Sequence, residues 1–213
     1  MAVDLPEMAS ALAGRPVAGG PSRAGGNLVP TLPWSPEVAV CPVLRLGDPR
    51  LRQLSSPVPE EWFGGDMLAS LLTDLRDTMA ARQGAGLAAP QIGRPWRVVI
   101  YGINHNPRYP EAPPIPETVL INPLLTPLGP ATQLGWEGCL SVPGLRGQVV
   151  RWQTLKLAWR DPLGQAHEAK VEGFHARVVQ HECDHLDGVL FTDRLVDPAG
   201  VGFEEELVAA GLL

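Results

Sequence analysis

Gln180-His181-Glu182-Cys183-Asp184-His185 decides how this chain is read. Two histidines stand four residues apart, with a glutamate directly after the first. On an α-helix, positions i and i+4 share a face, so both imidazoles can reach a single metal ion. A carboxylate beside the first ligand can then sit near a metal-bound water and take its proton. The same string also arises in helices whose histidines are ordinary surface or core residues, so its context matters. Val178 and Val179 form an apolar pair just ahead of it that can anchor a helix. Gly188 follows His185 at the distance a helix C-terminus favours. The stretch reads as a short, core-facing helix with its charged chemistry on one side.

Two histidines leave a catalytic site incomplete, because such a site normally takes three protein ligands and keeps a position for water. Downstream lie Asp187, Asp193, Asp197 and Glu204 to Glu206, but no further histidine. Upstream, Glu137-Gly138-Cys139-Leu140-Ser141 offers a thiolate that would complete a Cys-His-His set. The plain alternative for Cys139 is a buried apolar thiol, which is what most free cysteines are. A third stretch, Gly84-Ala85-Gly86-Leu87-Ala88-Ala89-Pro90-Gln91, combines small residues with a side-chain amide. It can admit an extended peptide and aim the amide at a developing oxyanion. Taken alone, it reads more simply as a packing loop after a helix.

Composition narrows the field. The chain has 213 residues, 45% of them hydrophobic, and a formal net charge of −6. That length suits one domain with a sizeable core. The negative balance gives no sign of nucleic-acid binding, and no run of eighteen apolar residues marks a membrane span. The 3 cysteines, Cys41, Cys139 and Cys183, do not make a disulfide framework, and a reducing compartment is the simpler reading. Residues 1–37 are rich in Pro, Gly and Ala and are expected to be a flexible extension ahead of a catalytic domain spanning 38–213. Asp4 and Glu7 weaken an organellar transit reading, so the bacterial cytoplasm is the expected location.

Val43 to Pro49 suggests an extended piece ending in a turn. Asp66 to about Arg82 is the clearest helix, with Met67, Leu68, Leu71, Leu72, Leu75 and Met79 on one core stripe. Trp96 to Tyr101 and Thr118 to Asn122 read as strands, and the prolines at 107, 110, 113, 114 and 116 make 104–116 a loop. Gln153 to Asp161 alternates as a strand. Asp161-Pro162-Leu163-Gly164 makes a turn, and Gln165 to Glu172 returns as the partner. Strands in the middle, helices at the edges and no regular βαβ alternation predict an α+β fold. Mostly antiparallel sheets would pack around a central helix carrying the His-Glu-x-x-His motif.

Together, Gly84 to Gln91, Glu137 to Ser141 and Gln180 to His185 resemble, in order and separation, the three signature motifs of the peptide deformylases. Gly47-Asp48-Pro49-Arg50-Leu51-Arg52 resembles that family's N-terminal segment, and the likeness spans roughly residues 38 to 195. The resemblance implies a hydrolase that removes the formyl group from the N-terminal formyl-methionine of new polypeptides, with the ribosome as the place of that encounter. It implies that Cys139, His181 and His185 bind one divalent ion, natively iron(II), with zinc, nickel or cobalt as substitutes. Glu182 would be the general base and later the acid. Gln91 and the backbone N–H of Leu140 would hold the oxyanion. Glu137 and Arg151 align with a buried charge pair supporting the metal loop. Gly86 aligns with backbone that pairs with substrate. Gly84, Ala85, Leu140 and Val178 would line the methionine pocket, and Arg146 would meet the peptide further along. The chain departs from the pattern at Cys183, where relatives carry Met or Tyr, and before Arg151, where a proline is often seen. Helical geometry turns Cys183 away from the metal face.

A metallopeptidase built on the same helix is the rival enzyme. It expects a downstream third ligand and leaves Cys139 and Gln91 without roles. A non-catalytic peptide-binding relative is the other alternative, and the intact set of Glu182, Gln91 and the three candidate ligands speaks against it.

Overall fold

The computed structural model describes residues 40–104 and 113–213. The extension expected over 1–37 and the middle of the proline-rich loop lie outside these residues. Helix α1 (Asp66–Ala81) buries Leu68, Leu71, Leu72 and Leu75, the 3–4 spacing that presents one apolar face. Met67, expected on that stripe, is instead 52% exposed. One residue before Leu68 is about 100° round the helix, which turns its side chain off the core.

Two antiparallel sheets make up the rest, with helices packed on them, so the α+β expectation is met. The larger sheet runs in the order β1 (Gly86–Ala88), β2 (Val98–Ile103), β3 (Ile115–Pro127), β6 (Thr154–Arg160), β7 (Ala166–Glu172). β3 begins at Ile115, so the last two residues expected in the loop belong to a strand. The expected β6–β7 hairpin forms, with Thr154 opposite Glu172 through Arg160 opposite Ala166. Asp161 sets the turn by accepting hydrogen bonds from the Leu163 and Gln165 backbone N–H groups. The smaller sheet consists of β4 (Thr132–Cys139), β5 (Val142–Trp152) and β8 (Val201–Phe203). Helix α2 (Gly173–Leu186) packs against strands of both sheets, and helix α3 (Glu204–Ala209) closes the chain against β5 and β8.

The apolar interior is divided into three clusters. One lies between α2 and the larger sheet, around Tyr101, Leu120, Leu155 and Leu157. The second joins α1 to β1 and β2, around Leu75, Leu87 and Ile100. The third, under the smaller sheet, gathers Cys139, Val142, Val149 and Phe191.

Candidate metal centre and substrate pocket

The motif helix is more deeply placed than its one-sided pattern implies. Every residue from Ala176 to Leu186 is buried, so polar groups on α2 must find partners inside the protein. His181 and His185 stand one helical turn apart, their rings 5.2 Å centre to centre and nearly perpendicular. The β4–β5 turn brings Cys139 to them. Its pairing register slips between Gly138 and Cys139, and such an irregularity re-aims the side chain beside it. The Cys139 Sγ lies 3.3 Å from His185 Nε2, and the ligand atoms of Cys139, His181 and His185 all fall within 4.8 Å of one another.

Those three residues suit a divalent ion. Burial opposes a thiolate at Cys139, but the charges and hydrogen bonds of His185 and His181 overcome it and push the thiol well below its ordinary value. His181 Nδ1 is engaged 2.8 Å from Glu137 Oε2, which fixes the ring and leaves Nε2 for ligation. The sulfur and two imidazole nitrogens then match a three-ligand catalytic donor set.

Glu137 is the hub behind this cluster. Arg151 grips it with two hydrogen bonds of 2.8 and 2.9 Å, and Arg177 adds one of 2.9 Å. Burial works against the Glu137 charge, yet Arg151 and His181 hold its carboxyl well below the usual range. Arg151 also donates to Asp184 at 2.5 Å, and Asp184 in turn receives two bonds of 2.6 Å from Arg194. The absence of a proline before Arg151 does not disturb the pairing. Val150 lies opposite Leu134 in ordinary β4–β5 register.

Glu182 points to the other side of the cluster. It is 6% exposed, and its Oε2 has no hydrogen-bond partner among the described residues. Burial pushes its carboxyl up to about 7, with His181 and His185 pulling the other way. A carboxyl balanced near neutrality can both take and return a proton. It lies against Gly86, where only the absence of a Cβ makes room. Gln91 sits beside the sulfur. Its Oε1 accepts from Ala88 N–H at 2.9 Å, and its Nε2 points to Ser141 Oγ at 3.1 Å and Cys139 Sγ at 3.4 Å. That leaves the amide N–H side turned toward the cluster.

One pocket opens on these groups. Gly84, Ala85, Gly86, Leu140 and Val178, all singled out in the sequence, line it together with Cys139, His181 and Glu182. Arg146 is not among them. It is 3% exposed, packs against Gly138 and donates to Glu204 at 2.6 Å. Cys183 faces the apolar cluster under the larger sheet, where burial pushes its thiol far up.

Sequence reasoning missed Arg177, Asp184, Trp136 and Phe174. Trp136, Phe174 and Arg177 line the pocket, and Arg177 also bonds the carbonyls of Gln133 at 2.7 Å and Val149 at 3.0 Å. Its position supplied a signal. Arg177 stands four residues before His181, on the same helix face, between Ala176 and the Val178-Val179 pair.

Known proteins resemble this chain in sequence and fold. The family described as polypeptide deformylase matches residues 40–200. A curated relative named peptide deformylase 1, from Prochlorococcus marinus, is 56% identical over 177 residues, covering 83% of this chain and 91% of that one. Peptide deformylase 2 of Pseudomonas syringae pv. tomato is 52% identical over 161 residues, covering 76% and 90%. Among solved structures, the Met-Ala-Ser-bound class I type b peptide deformylase from Acinetobacter baumannii superposes with a TM-score of 0.72 and 40% identity. That alignment covers 74% of this chain and 99% of that one. With the Cys-His-His cluster, the buried glutamate and the sequence likeness all in agreement, the chain belongs to the peptide deformylase family.

Proposed function

We propose that the chain removes the formyl group of N-formylmethionyl polypeptides with Cys139, His181 and His185 as ligands of one iron(II) ion and Glu182 as the proton-transfer group. Zinc, nickel and cobalt suit the same donors. When bound, the ion supplies Lewis acidity, which lowers the pKa of a water and polarises a carbonyl oxygen.

The chain's own groups do the rest. Glu182 takes a proton from the attacking water and returns it to the departing amine nitrogen, a role that suits a carboxyl held near 7. The Gln91 side-chain amide and the Leu140 backbone N–H donate to the oxyanion of the tetrahedral intermediate. Losing one such donor typically costs about 100- to 1000-fold in rate. Gly86 offers backbone to an extended peptide while Gly84, Ala85, Leu140 and Val178 enclose the methionine side chain. Glu137 and Arg151 support the site from behind by orienting His181. Newly made chains at the bacterial ribosome, in the cytoplasm, are the fitting substrates. No helix among the described residues is long and apolar enough to cross a membrane.

The observation that carries this reading is the buried Glu182 carboxyl, whose Oε2 has no hydrogen-bond partner among the described residues, beside a Cys-His-His cluster. It is tested by formate release from formyl-Met-Ala-Ser, using anaerobic protein loaded with iron(II) or nickel. Wild type should release formate and Glu182→Ala should not. No release by the metallated wild type overturns the assignment.

A further inference from the structure

A groove of about 340 Å³ adjoins the methionine pocket and shares Cys139 and Leu140 with it. Two stretches of chain wall the pocket, Gly84 to Gly86 and Trp136 to Leu140. Both walls continue into the groove, the first through Arg82 and the second through Pro143 and Gly144. The direction of travel is fixed by what each wall touches. Gly86 lies against the Glu182 carboxylate and Gly84 against the Leu140 side chain. A peptide whose formyl end is at Glu182 and which lies between the walls therefore leaves past Leu140, toward Arg82.

The charge of that exit is one-sided. Arg45 and Arg82 line it, and both are exposed. Among the described residues, no carboxylate forms an ion pair with either. The single acidic group in the lining, Glu204, is already held by Arg146 at 2.6 Å. The groove thus carries two guanidinium charges without an ion-pair partner among the described residues, in a protein whose formal net charge is −6.

We propose that this groove receives the residues that follow formyl-methionine and selects among nascent chains by charge, favouring an acidic side chain and disfavouring a basic one. The proposal rests on the deformylase reading and adds a substrate class to it. Arg45 and Arg82 are specificity-determining residues here, acting on binding of the peptide and not on the reacting atoms. Both are partly solvated, so each contact with a carboxylate is modest and is screened by salt.

The test compares four C-terminally amidated peptides: formyl-Met-Ala-Glu, formyl-Met-Ala-Lys, formyl-Met-Glu-Ser and formyl-Met-Lys-Ser. The glutamate peptide of at least one pair should be preferred by about three- to tenfold in kcat/KM at low ionic strength. The difference should lie in KM and should shrink in high salt. The double charge reversal Arg45→Glu/Arg82→Glu should invert the preference. Ratios within about twofold for both pairs in wild type, or an unchanged preference in a folded reversal variant, overturn the proposal. If the reversal variant does not fold, a wild-type preference that survives high salt overturns it equally. No release from any of the four peptides overturns the deformylase reading and the groove with it.

Discussion

Replacing Gly86 by alanine would place a methyl group 2.5 Å from Glu182 Oε1, 2.6 Å from its Cδ and 2.7 Å from its Cγ. Neither side of this contact can yield easily. Gly86 is paired with Tyr101 in β1–β2 register, and Glu182 stands on a helix buried along that whole turn. Ordinary contact begins near 3.4 Å, so the carboxylate must retreat by about 1 Å, and a displacement of that size typically costs on the order of 100-fold in rate. The strain itself costs about 1–3 kcal/mol, a loss of roughly 5 °C in Tm for a domain of this size. Steady-state formate release from formyl-Met-Ala-Ser separates the effects when run beside circular-dichroism melting and metal analysis. Gly86→Ala should lower kcat about 100-fold while the metal content stays near that of wild type. Gly84→Ala is the comparator, since a Cβ there meets the mobile end of Leu140 at 3.0 Å and Met79 at 3.3 Å, with one backbone oxygen at 3.1 Å. It should be the milder change. A Gly86→Ala enzyme with kcat within about threefold of wild type would show that the Glu182 position does not govern the rate, and the proton-transfer role would fall.

Arg177→Leu removes the donor to the Gln133, Gly135 and Val149 carbonyls and to Glu137. Leaving the two buried acceptors, Glu137 and the Val149 carbonyl, short should cost about 3–5 kcal/mol and lower Tm by roughly 10 °C; a Tm within about 2 °C of wild type refutes a structural role for these Arg177 contacts. Cys139→Ser replaces a thiolate by a hydroxyl that stays protonated, so metal retained after dialysis should fall from about one ion per chain to a small fraction. Elemental analysis checks this, and undiminished retention would return the metallopeptidase alternative. Chelation of the wild type should lower Tm, because an ion bound only by the folded state stabilises it.

The site was legible wherever its residues lay close in sequence. The i, i+4 histidines, the α1 stripe and the β6–β7 alternation are local patterns, and each produced the expected element. The β4–β5 hairpin was not recognised, and its glycines explain why. Glycine is depleted in strands, yet here its absence of a side chain is required by distant partners. A Cβ at Gly135 would lie 2.8 Å from Arg177, one at Gly138 2.8 Å from Arg146, and one at Gly147 2.5 Å from Leu195. Arg177 and Gly135 are the two halves of one packing arrangement, and neither residue signals it without the other. The Arg146–Glu204 pair is hidden from sequence for a related reason, because Glu204 arrives from the last helix described.

Several contacts that define the site join parts of the chain far apart in sequence. Gln91 meets Ser141 across 50 residues, Cys139 meets His185 across 46, and Glu137 meets His181 across 44. Such closures carry an entropic cost that no local element can offset early. A collapsed intermediate with α1 and the β6–β7 hairpin in place would have much of its final secondary structure and none of its chemistry. Recovery of activity during refolding is therefore a stricter reporter of native topology than recovery of helix or strand content, and it should be the last signal to return.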